Sequence, residues 1–318
     1  VARQFCQAGQ VVRVEQAAGR VVRRVDDDHS RACAEQRANH QRLRIAVPEG
    51  HIQDPARENG RERLWAAHID LTQTLDELPA HWQYVDQLYQ LLQPLDEELT
   101  LLDVGCGMHS FARLLLLNLS YRLRAHTWHH SQPLHYVGMD VSFSALQDAQ
   151  SATQDALTHV DQLFSGRISG PTPVTQQWVL SHSLETLPFA DQSFDRIVAN
   201  LSLTFSRSPL HALRELFRVL RPGGRLVISA LTPFADLAAL YRPALQEQGL
   251  DAFTGEARLI LNRMAQSCVA LRVGQLHALQ EEALSARLSQ LTTIPPRLVR
   301  TFSGQILLAV AEKPDSAG

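Results

Sequence analysis

Two short segments in the middle of the chain combine glycines and carboxylates at a spacing that suits ligand binding. Asp103-Val-Gly105-Cys-Gly107 follows one apolar run, and Asp140 ends a second. Glycines permit a tight turn and let a ligand approach the backbone, because no Cβ stands in the way. A carboxylate at the end of a neighbouring strand accepts hydrogen bonds from ribose hydroxyls, so the pair predicts a site for an adenosine ligand, NAD included. The alternative for Asp140 is an acid at a helix N-terminus, which the helix dipole favours.

The elements that must position these residues alternate between apolar runs and helical spacing. Five strands are predicted at residues 99–104, 136–140, 174–180, 194–200 and 225–231. Helices lie between them, with Ser142 as one N-cap, Ser208-Pro209 as the start of another helix, and residues 221–224 as a helix stop. Such alternation gives a parallel sheet covered by helices on both faces. In such sheets ligands bind at the carboxyl ends of the strands, where both segments lie.

The flanking regions differ in character from this alternating core. Residues 1–65 show little sustained periodicity and are expected to be an N-terminal extension, for which disorder is one interpretation, although residues 11–14 are a candidate strand. Residues 66–318 are expected to be one domain. To the alternating core it adds a helical cap (66–98, interrupted at Pro79 and carrying Trp82 and Tyr84), a helical insertion (234–291) and an antiparallel edge hairpin (298–302 and 305–311).

The overall charge and the cysteines exclude several classes of protein. With 30 basic and 33 acidic residues the formal net charge is −3, which argues against nucleic acid or an acidic membrane as the main partner. Cys6, Cys33, Cys106 and Cys268 are scattered, so neither a disulfide framework nor a zinc knuckle is predicted. No apolar run reaches transmembrane length and the first residues do not resemble a signal peptide, so a reducing cytoplasm is the expected compartment.

A group of histidines precedes the second predicted strand. Its members are His126, His129, His130 and His135. Histidines at this spacing can bind a metal, but no nearby cysteine, aspartate or glutamate completes a ligand set. A solvated loop on the side of the sheet away from the glycine segment is therefore the favoured interpretation, and no metal site is predicted.

Four motifs in order give a more specific prediction than any one of them. They are Leu-Leu-Asp-Val-Gly-Cys-Gly107, Val-Gly-Met-Asp140-Val-Ser, Leu187-Pro-Phe-Ala-Asp-Gln-Ser-Phe-Asp195 and Leu220-Arg-Pro-Gly-Gly224. The order and spacing resemble class I S-adenosylmethionine-dependent methyltransferases, in the type 11 branch that contains the ubiquinone/menaquinone methyltransferases and the malonyl-carrier-protein methyltransferase of biotin synthesis. The last two motifs favour S-adenosylmethionine over NAD. The resemblance implies a Rossmann-like, doubly wound α/β fold with a mostly parallel seven-stranded sheet.

The resemblance also implies which residues hold the cofactor. Asp103 would bind its amino group, the two glycines would face its methionine end, and Asp140 would bind the ribose. Residues 183–185 would border the adenine, and 200–202 would line the methyl-transfer site. The full expected set is Asp103, Gly105, Cys106, Gly107, Asp140, Val141, Ser183, Leu184, Asn200, Leu201 and Ser202.

Two positions depart from the family pattern. His109 stands where a third glycine is usual, and Ser183 stands near the place of an acid that accepts from the adenine amino group. His109 and His182 are the candidate general bases, and a base is needed only if the acceptor loses a proton during attack. A carboxylate acceptor needs none.

The predicted function is methyl transfer to a small-molecule, lipid-like or carrier-bound acceptor. One alternative is an RNA or protein methyltransferase, which would need a basic surface that the sequence does not plainly contain. The other is an inactive subunit that binds S-adenosylmethionine, an interpretation that His109 and Ser183 keep open. The helical insertion is expected to set acceptor choice, since specificity on such folds resides in appended elements.

Overall fold

The chain divides into two units, residues 1–44 and residues 45–318. Parts of both are described in the computed structural model. The described residues are 3–7, 10–14, 79–95, 99–107, 111–113, 115, 134–164, 174–181, 183–236, 238–239, 262, 265–266, 268–274 and 276–315.

In the first unit the structure describes one antiparallel hairpin. Strand β1 (Arg3–Gln7) pairs with β2 (Gln10–Val14), with Phe5 opposite Val12. The strand predicted at residues 11–14 is therefore confirmed. The expectation of an extension over residues 1–65 stays a prediction.

The second unit is built on a seven-stranded sheet. Its strands are β3 (Thr100–Val104), β4 (Leu134–Asp140), β5 (Val174–Leu180), β6 (Phe194–Asn200), β7 (Leu220–Leu231), β8 (Arg297–Thr301) and β9 (Ile306–Glu312). Their order across the sheet is β5-β4-β3-β6-β7-β9-β8, and only β9 runs antiparallel to its neighbours. The predicted Rossmann-like α/β sheet with an antiparallel edge hairpin is confirmed. The order reverses between β3 and β6, which is where such sheets bind ligands.

The structure describes four helices in this unit, two of which begin at a serine cap. They are α1 (Pro79–Leu92), α2 (Phe143–Phe164), α3 (Pro209–Val219) and α4 (Glu281–Ser289). Ser142 Oγ accepts the Ala145 N–H at 3.3 Å at the start of α2. Ser208 Oγ accepts from His211 in α3, whose first residue is Pro209. Both caps are as predicted, because a cap depends on side chains a few residues away. None of the described helices is both long and apolar enough to cross a membrane.

The core lies on both faces of the central strands. Leu101 and Leu102 of β3 point to opposite faces and are both fully buried, as are Ile197 and Val198 of β6. Full burial of a leucine or isoleucine side chain stabilises the fold by about 1.5–3 kcal/mol. The apolar face of α3 covers this sheet with Ala212, Leu213, Leu216 and Phe217. The central parallel strands are therefore apolar on both faces instead of alternating between apolar and polar side chains, because helices cover both sides of the sheet.

The start of β7 differs from the prediction. Residues 221–224 were expected to stop the helix and precede a strand at 225, but α3 ends at Val219 and β7 already begins at Leu220. Leu220 pairs with Phe194, and Arg225 pairs with Arg196, so the four residues between them oppose one residue of β6. The backbone of this bulge pairs instead with Lys313 after β9, through Gly223 N–H and Gly224 C=O, both at 2.9 Å.

Candidate functional site

The glycine segment after β3 forms a turn against the end of β4. Gly105 and Gly107 have φ values of +68° and +62°, in the left-handed region that favours glycine. The N–H groups of Gly105 and Cys106 donate to the Met139 carbonyl at 2.7 and 3.0 Å. A Cβ on Gly105 would lie 2.5 Å from Ser202 Cβ, whereas a Cβ on Gly107 would meet nothing within 4 Å. The turn therefore packs tightly against the segment after β6 at one glycine and borders open space at the other.

Asp140 lies against this turn, as the sequence predicted. Its side chain is 2% exposed. Oδ2 accepts from Gly107 N–H and Oδ1 from Ser142 N–H, each at 2.9 Å. Burial raises the pKa of Asp140, and the backbone hydrogen bonds from Ser142, Gly107 and Val141 oppose that rise. These donors leave part of the lone-pair capacity of the carboxylate free for a further hydrogen bond.

Asp103 is the buried acid of the site whose carboxylate has the fewest hydrogen-bond donors. It is fully buried, and its Oδ2 accepts the Tyr136 hydroxyl at 2.8 Å. Oδ1 has no hydrogen-bond partner within the described part of the chain. Burial raises the pKa of Asp103 to about 7, the Tyr136 hydrogen bond lowers it, and the charge of Asp140 raises it. A buried carboxylate oxygen without a donor is unfavourable, so this atom marks a place for a cationic donor.

The Tyr136 side chain can reach Asp103 because Gly138, the residue between them, has no side chain. Tyr136 pairs with Leu101, and Gly138 pairs with Asp103 across the same two strands. A Cβ on Gly138 would lie 3.2 Å from the Tyr136 ring and 2.6 Å from that of Trp178. The two rings pack at 5.6 Å between centroids. Tyr136 was not predicted from the sequence. The usable signal was an aromatic residue two positions before a glycine in a strand, because the glycine leaves space for the aromatic side chain.

The segment after β6 is tied to β7 and to α1. Leu201 has a φ of 56° and donates its N–H to Ser229 Oγ at 2.9 Å. Ser229 Oγ also hydrogen bonds with Asn200 Oδ1 at 2.9 Å and with the Tyr84 hydroxyl at 2.6 Å. The Tyr84 hydroxyl also contacts Asn200 Oδ1. Ser202 then opens a 3-10 turn, Ser202–Phe205. Burial raises the pKa of Tyr84, so its hydroxyl stays protonated and available as a donor.

The residues expected near the adenine lie after β5 and β4. Ser183 Oγ donates to Glu185 Oε2 at 2.6 Å, and Glu185 Oε1 accepts the N–H groups of Arg207 and Ser208 at 2.5 and 3.0 Å. Burial alone would raise the pKa of Glu185, but these hydrogen bonds together lower it. Glu185 is thus held at the start of α3. Leu184 is buried in the core, and Val141 is 44% exposed.

The remaining predicted positions include two that the structure does not describe. His109 and His182 lie outside the described residues. Cys106 is a buried free thiol whose pKa is raised by burial. Across the described ranges, no three histidine, cysteine or acidic residues come together as a metal site. Of the histidine group only His135 is described, near the amino end of β4, where its Nδ1 contacts Thr175 Oγ1 at 2.6 Å.

Comparison with known proteins agrees with this architecture. Two family models described as a methyltransferase domain match residues 102–228 and 177–281. The malonyl-[acyl-carrier protein] O-methyltransferase of Erwinia pyrifoliae is 51% identical over 53 residues, covering 17% of this chain and 20% of the relative. The ubiquinone/menaquinone biosynthesis C-methyltransferase UbiE of Roseobacter denitrificans is 26% identical over 201 residues, 63% of this chain and 66% of the relative. The crystal structure of the CurJ carbon methyltransferase shows a similar fold, with a TM-score of 0.50, 15% identity and coverage of 82% of this chain and 62% of that one.

These matches define the class of protein. The chain contains a class I S-adenosylmethionine-dependent methyltransferase domain, and the cofactor of that class is S-adenosylmethionine. Its similarity is to the type 11 branch of these enzymes, as the motifs predicted. The chain spans 20% of the length of the Erwinia relative and 66% of the Roseobacter one.

Proposed function

We propose that the protein transfers the methyl group of S-adenosylmethionine to a small-molecule, lipid-like or carrier-bound acceptor. The observation that carries this proposal is Asp103 Oδ1, a fully buried carboxylate oxygen without a donor among the described residues. It belongs to the residue that leads into the glycine turn. The ammonium group of the cofactor supplies the cationic donor that this atom lacks, since charge-assisted hydrogen bonds are stronger than neutral ones.

The other described residues fit the remaining parts of the cofactor. The open space at Gly107 gives room for the methionine end, because no atom lies within 4 Å of a Cβ built there. Asp140 would bind the ribose hydroxyls with the lone pairs that its backbone donors leave free. Val141, half exposed beside it, and Ser183 after β5 would border the adenine. Ser202 Oγ, buried without a partner in the described ranges, would face the methionine moiety.

Methyl transfer requires the protein mainly to position the acceptor. The bound cofactor supplies a methyl group that its sulfonium already activates. The chain has to orient the acceptor in line with that group and exclude water, and such positioning contributes about 7–11 kcal/mol. The hydrogen bonds among Tyr84, Asn200 and Ser229 hold the segment after β6 rigid for this purpose, since a tyrosine of α1 and a serine of β7 fix the same amide oxygen.

Two further features support an acceptor of small or carrier-bound type. The two relatives are named for a malonyl-carrier protein and for ubiquinone and menaquinone biosynthesis. The cap (66–98) and the insertion (234–291) are proposed as the elements that border the acceptor within a domain of residues 66–318, because appended elements set specificity on such folds. The extension over residues 1–65 has no part in this proposal.

Binding and transfer experiments test the proposal separately. Calorimetry should show that S-adenosylmethionine binds the wild-type protein and that Asp140→Ala weakens it at least tenfold. Asp148→Ala, an exposed aspartate of α2, serves as the matched control. Absence of binding, or equal binding by the Asp140 variant, would contradict the cofactor site.

A second experiment identifies the acceptor class. The protein is incubated with labelled S-adenosylmethionine and fractionated cell extract, and the label is followed into small-molecule, lipid, carrier-protein, RNA and protein fractions. Label in the first three fractions supports the proposal. Label in RNA or in proteins other than carriers contradicts the acceptor class, and binding without any transfer points to an inactive subunit.

A further inference from the structure

Buried polar side-chain atoms without a partner are concentrated at one edge of the sheet. Among the described residues five such atoms occur: Gln93 Nε2, Asp103 Oδ1, Ser202 Oγ, Thr204 Oγ1 and His277 Nε2. Proteins bury few unsatisfied groups, so a cluster of them indicates a ligand. Four of these five lie at, or contact, the segments that follow β3 and β6. The proposed cofactor site uses Asp103 and Ser202, and it leaves Thr204 and His277 unexplained.

His277 is held against the 3-10 turn that follows β6. Its backbone N–H donates to the Thr204 carbonyl at 2.9 Å. The neighbouring Leu276 is 4% exposed and donates its N–H to Ala270 at 3.1 Å, which anchors the segment. Ser202, in the same turn as Thr204, is the residue that packs against Gly105. The backbone of His277 is therefore fixed beside the turn that borders the glycine segment, although His277 lies about 75 residues further along the chain.

We propose that Ser202, Thr204 and His277 form the acceptor subsite, which takes a neutral acceptor with an ionisable hydroxyl, and that His277 Nε2 accepts the hydroxyl proton. This inference rests on the proposed function, because it places the acceptor beside the cofactor. It adds to His109 and His182, which stay predictions, a candidate base that lies among the described residues.

The charges of the described residues favour a hydroxyl over a carboxylate acceptor. No arginine or lysine among them is buried, whereas Asp103 and Asp140 are. A carboxylate bound here would have no cationic side chain as a partner among these residues and would lie at the same edge of the sheet as Asp140. Two hydroxyls and an imidazole match a hydroxyl group, which can both donate and accept a hydrogen bond.

The transfer balances with one base. The O–H bond of the acceptor breaks, its proton goes to His277 Nε2, and its electron pair stays on the acceptor. That pair forms the new bond to the methyl carbon, while the bond between sulfur and the methyl carbon breaks and leaves its pair on sulfur. The products are the methylated acceptor, S-adenosylhomocysteine and an imidazolium, which releases its proton to solvent.

Three naphthalene probes test the subsite by calorimetry on the complex with S-adenosylhomocysteine. They are 2-naphthol, 2-naphthoate and 2-methoxynaphthalene, which share the ring and differ only in the polar group. The proteins are wild type, His277→Ala, His277→Gln and Thr204→Val, with His211→Ala as the control because His211 is an exposed histidine of α3. Transfer from labelled S-adenosylmethionine to 2-naphthol is measured with and without added imidazole.

The expected results distinguish a base from a structural residue. Wild type binds 2-naphthol at least tenfold more tightly than either other probe. Both His277 variants keep S-adenosylhomocysteine affinity within twofold and lose about 10²-fold or more in transfer, as removal of a general base does. Added imidazole restores part of the rate in His277→Ala but not in His277→Gln, whose side chain fills the site.

Four outcomes would overturn the inference. They are no binding of 2-naphthol at millimolar concentration, equal or tighter binding of 2-naphthoate, unchanged transfer in the His277 variants, and a loss of transfer that imidazole does not restore in His277→Ala. Failure of wild type to bind S-adenosylhomocysteine would contradict the proposed function instead, so the two failures are distinguishable.

Discussion

The two ends of the parallel strands both carry charged residues, but they treat those charges differently. At the amino ends, Arg225 pairs with Glu312 at 2.6 Å and Arg221 pairs with Asp195 at 2.6 Å. Arg225 also donates to carbonyls near the end of α1, including that of Leu91 at 3.3 Å. At the carboxyl ends the buried charges are Asp103 and Asp140, and neither carboxylate forms a salt bridge with a described residue.

The difference separates a stabilising edge from a binding edge. Charges at the amino ends are partly exposed and have partners, so their desolvation costs little free energy. They also hold α1 to the sheet. Charges at the carboxyl ends lose solvation without gaining a cation, which raises the pKa of Asp103 and of Asp140. A fold tolerates such groups where a ligand completes them. Mutations at the carboxyl-end edge should therefore change mainly ligand affinity, and mutations at the amino-end edge should change mainly the free energy of unfolding.

The largest effect is expected from Gly105→Ala. Its Cβ would overlap Ser202 Cβ at 2.5 Å, and its φ of +68° is unfavourable for alanine. Gly274→Ala is the matched control, because it has a φ of +74° with no atom within 4 Å. Urea denaturation should show a loss of about 1–2 kcal/mol for the control, from the left-handed backbone alone. Gly105→Ala should lose more and should no longer bind S-adenosylmethionine; equal losses would show that the contact with Ser202 is unimportant.

The next effect is a pH dependence of cofactor affinity. Asp103, with a pKa of about 7, is protonated below that value and ionised above it in the free protein. Only the carboxylate pairs with the cofactor ammonium, so affinity should rise with pH to about 7 and fall roughly tenfold per unit below it. Calorimetry between pH 6 and pH 8 measures this. Asp103→Asn should bind weakly at every pH, and a variant with the wild-type slope would assign the titration to another group.

A smaller effect is expected from Tyr136→Phe. The Tyr136 hydroxyl donates to Asp103 and lowers the pKa of that carboxyl. Without it, the midpoint of the pH dependence should move to higher pH, and affinity at pH 7 should fall about tenfold, which corresponds to about 1.4 kcal/mol. Tyr89→Phe, another buried tyrosine, is the control. A uniform loss at all pH values would show that Tyr136 acts through packing alone.

The smallest effects belong to the amino-end edge. Arg225→Met should lower the free energy of unfolding by about 1–3 kcal/mol, because it removes several charge-assisted hydrogen bonds, and should leave cofactor affinity within twofold. Arg300→Met removes the exposed pair with Glu281 and should change stability by about 1 kcal/mol or less. Thermal denaturation with and without S-adenosylhomocysteine gives both quantities. A large loss of affinity in Arg225→Met would contradict the division into two edges.

Much of the fold followed from local sequence. The strands predicted at 174–180 and 194–200 are observed with the same bounds, and the caps at Ser142 and Ser208 form as expected. Apolar runs, caps and glycine turns depend on residues within one turn of helix or one strand. For the same reason the glycine segment and Asp140 were placed together from the sequence, since both end neighbouring strands.

What failed or was missed depends on distant contacts. The bulge at 221–224 pairs with Lys313, about 90 residues away, so its extended conformation has no local signal. Tyr136 enters the site only because β3 and β4 bring it to Asp103, and the contacts of Tyr84, a residue of the predicted cap, arise because α1, β6 and β7 meet. His277 lies in a segment with no motif, and its position follows from one hydrogen bond to the turn after β6.

The sequence by itself determined the class of fold and the residues of the cofactor motifs, because periodicity and turn chemistry are local properties. Only the tertiary structure decided which charges are left without a partner, because burial and the positions of donors are properties of the packed chain. Asp103 illustrates both: its place in the motif is read from the sequence, but its unpaired oxygen and raised pKa arise from the strands and helices that enclose it.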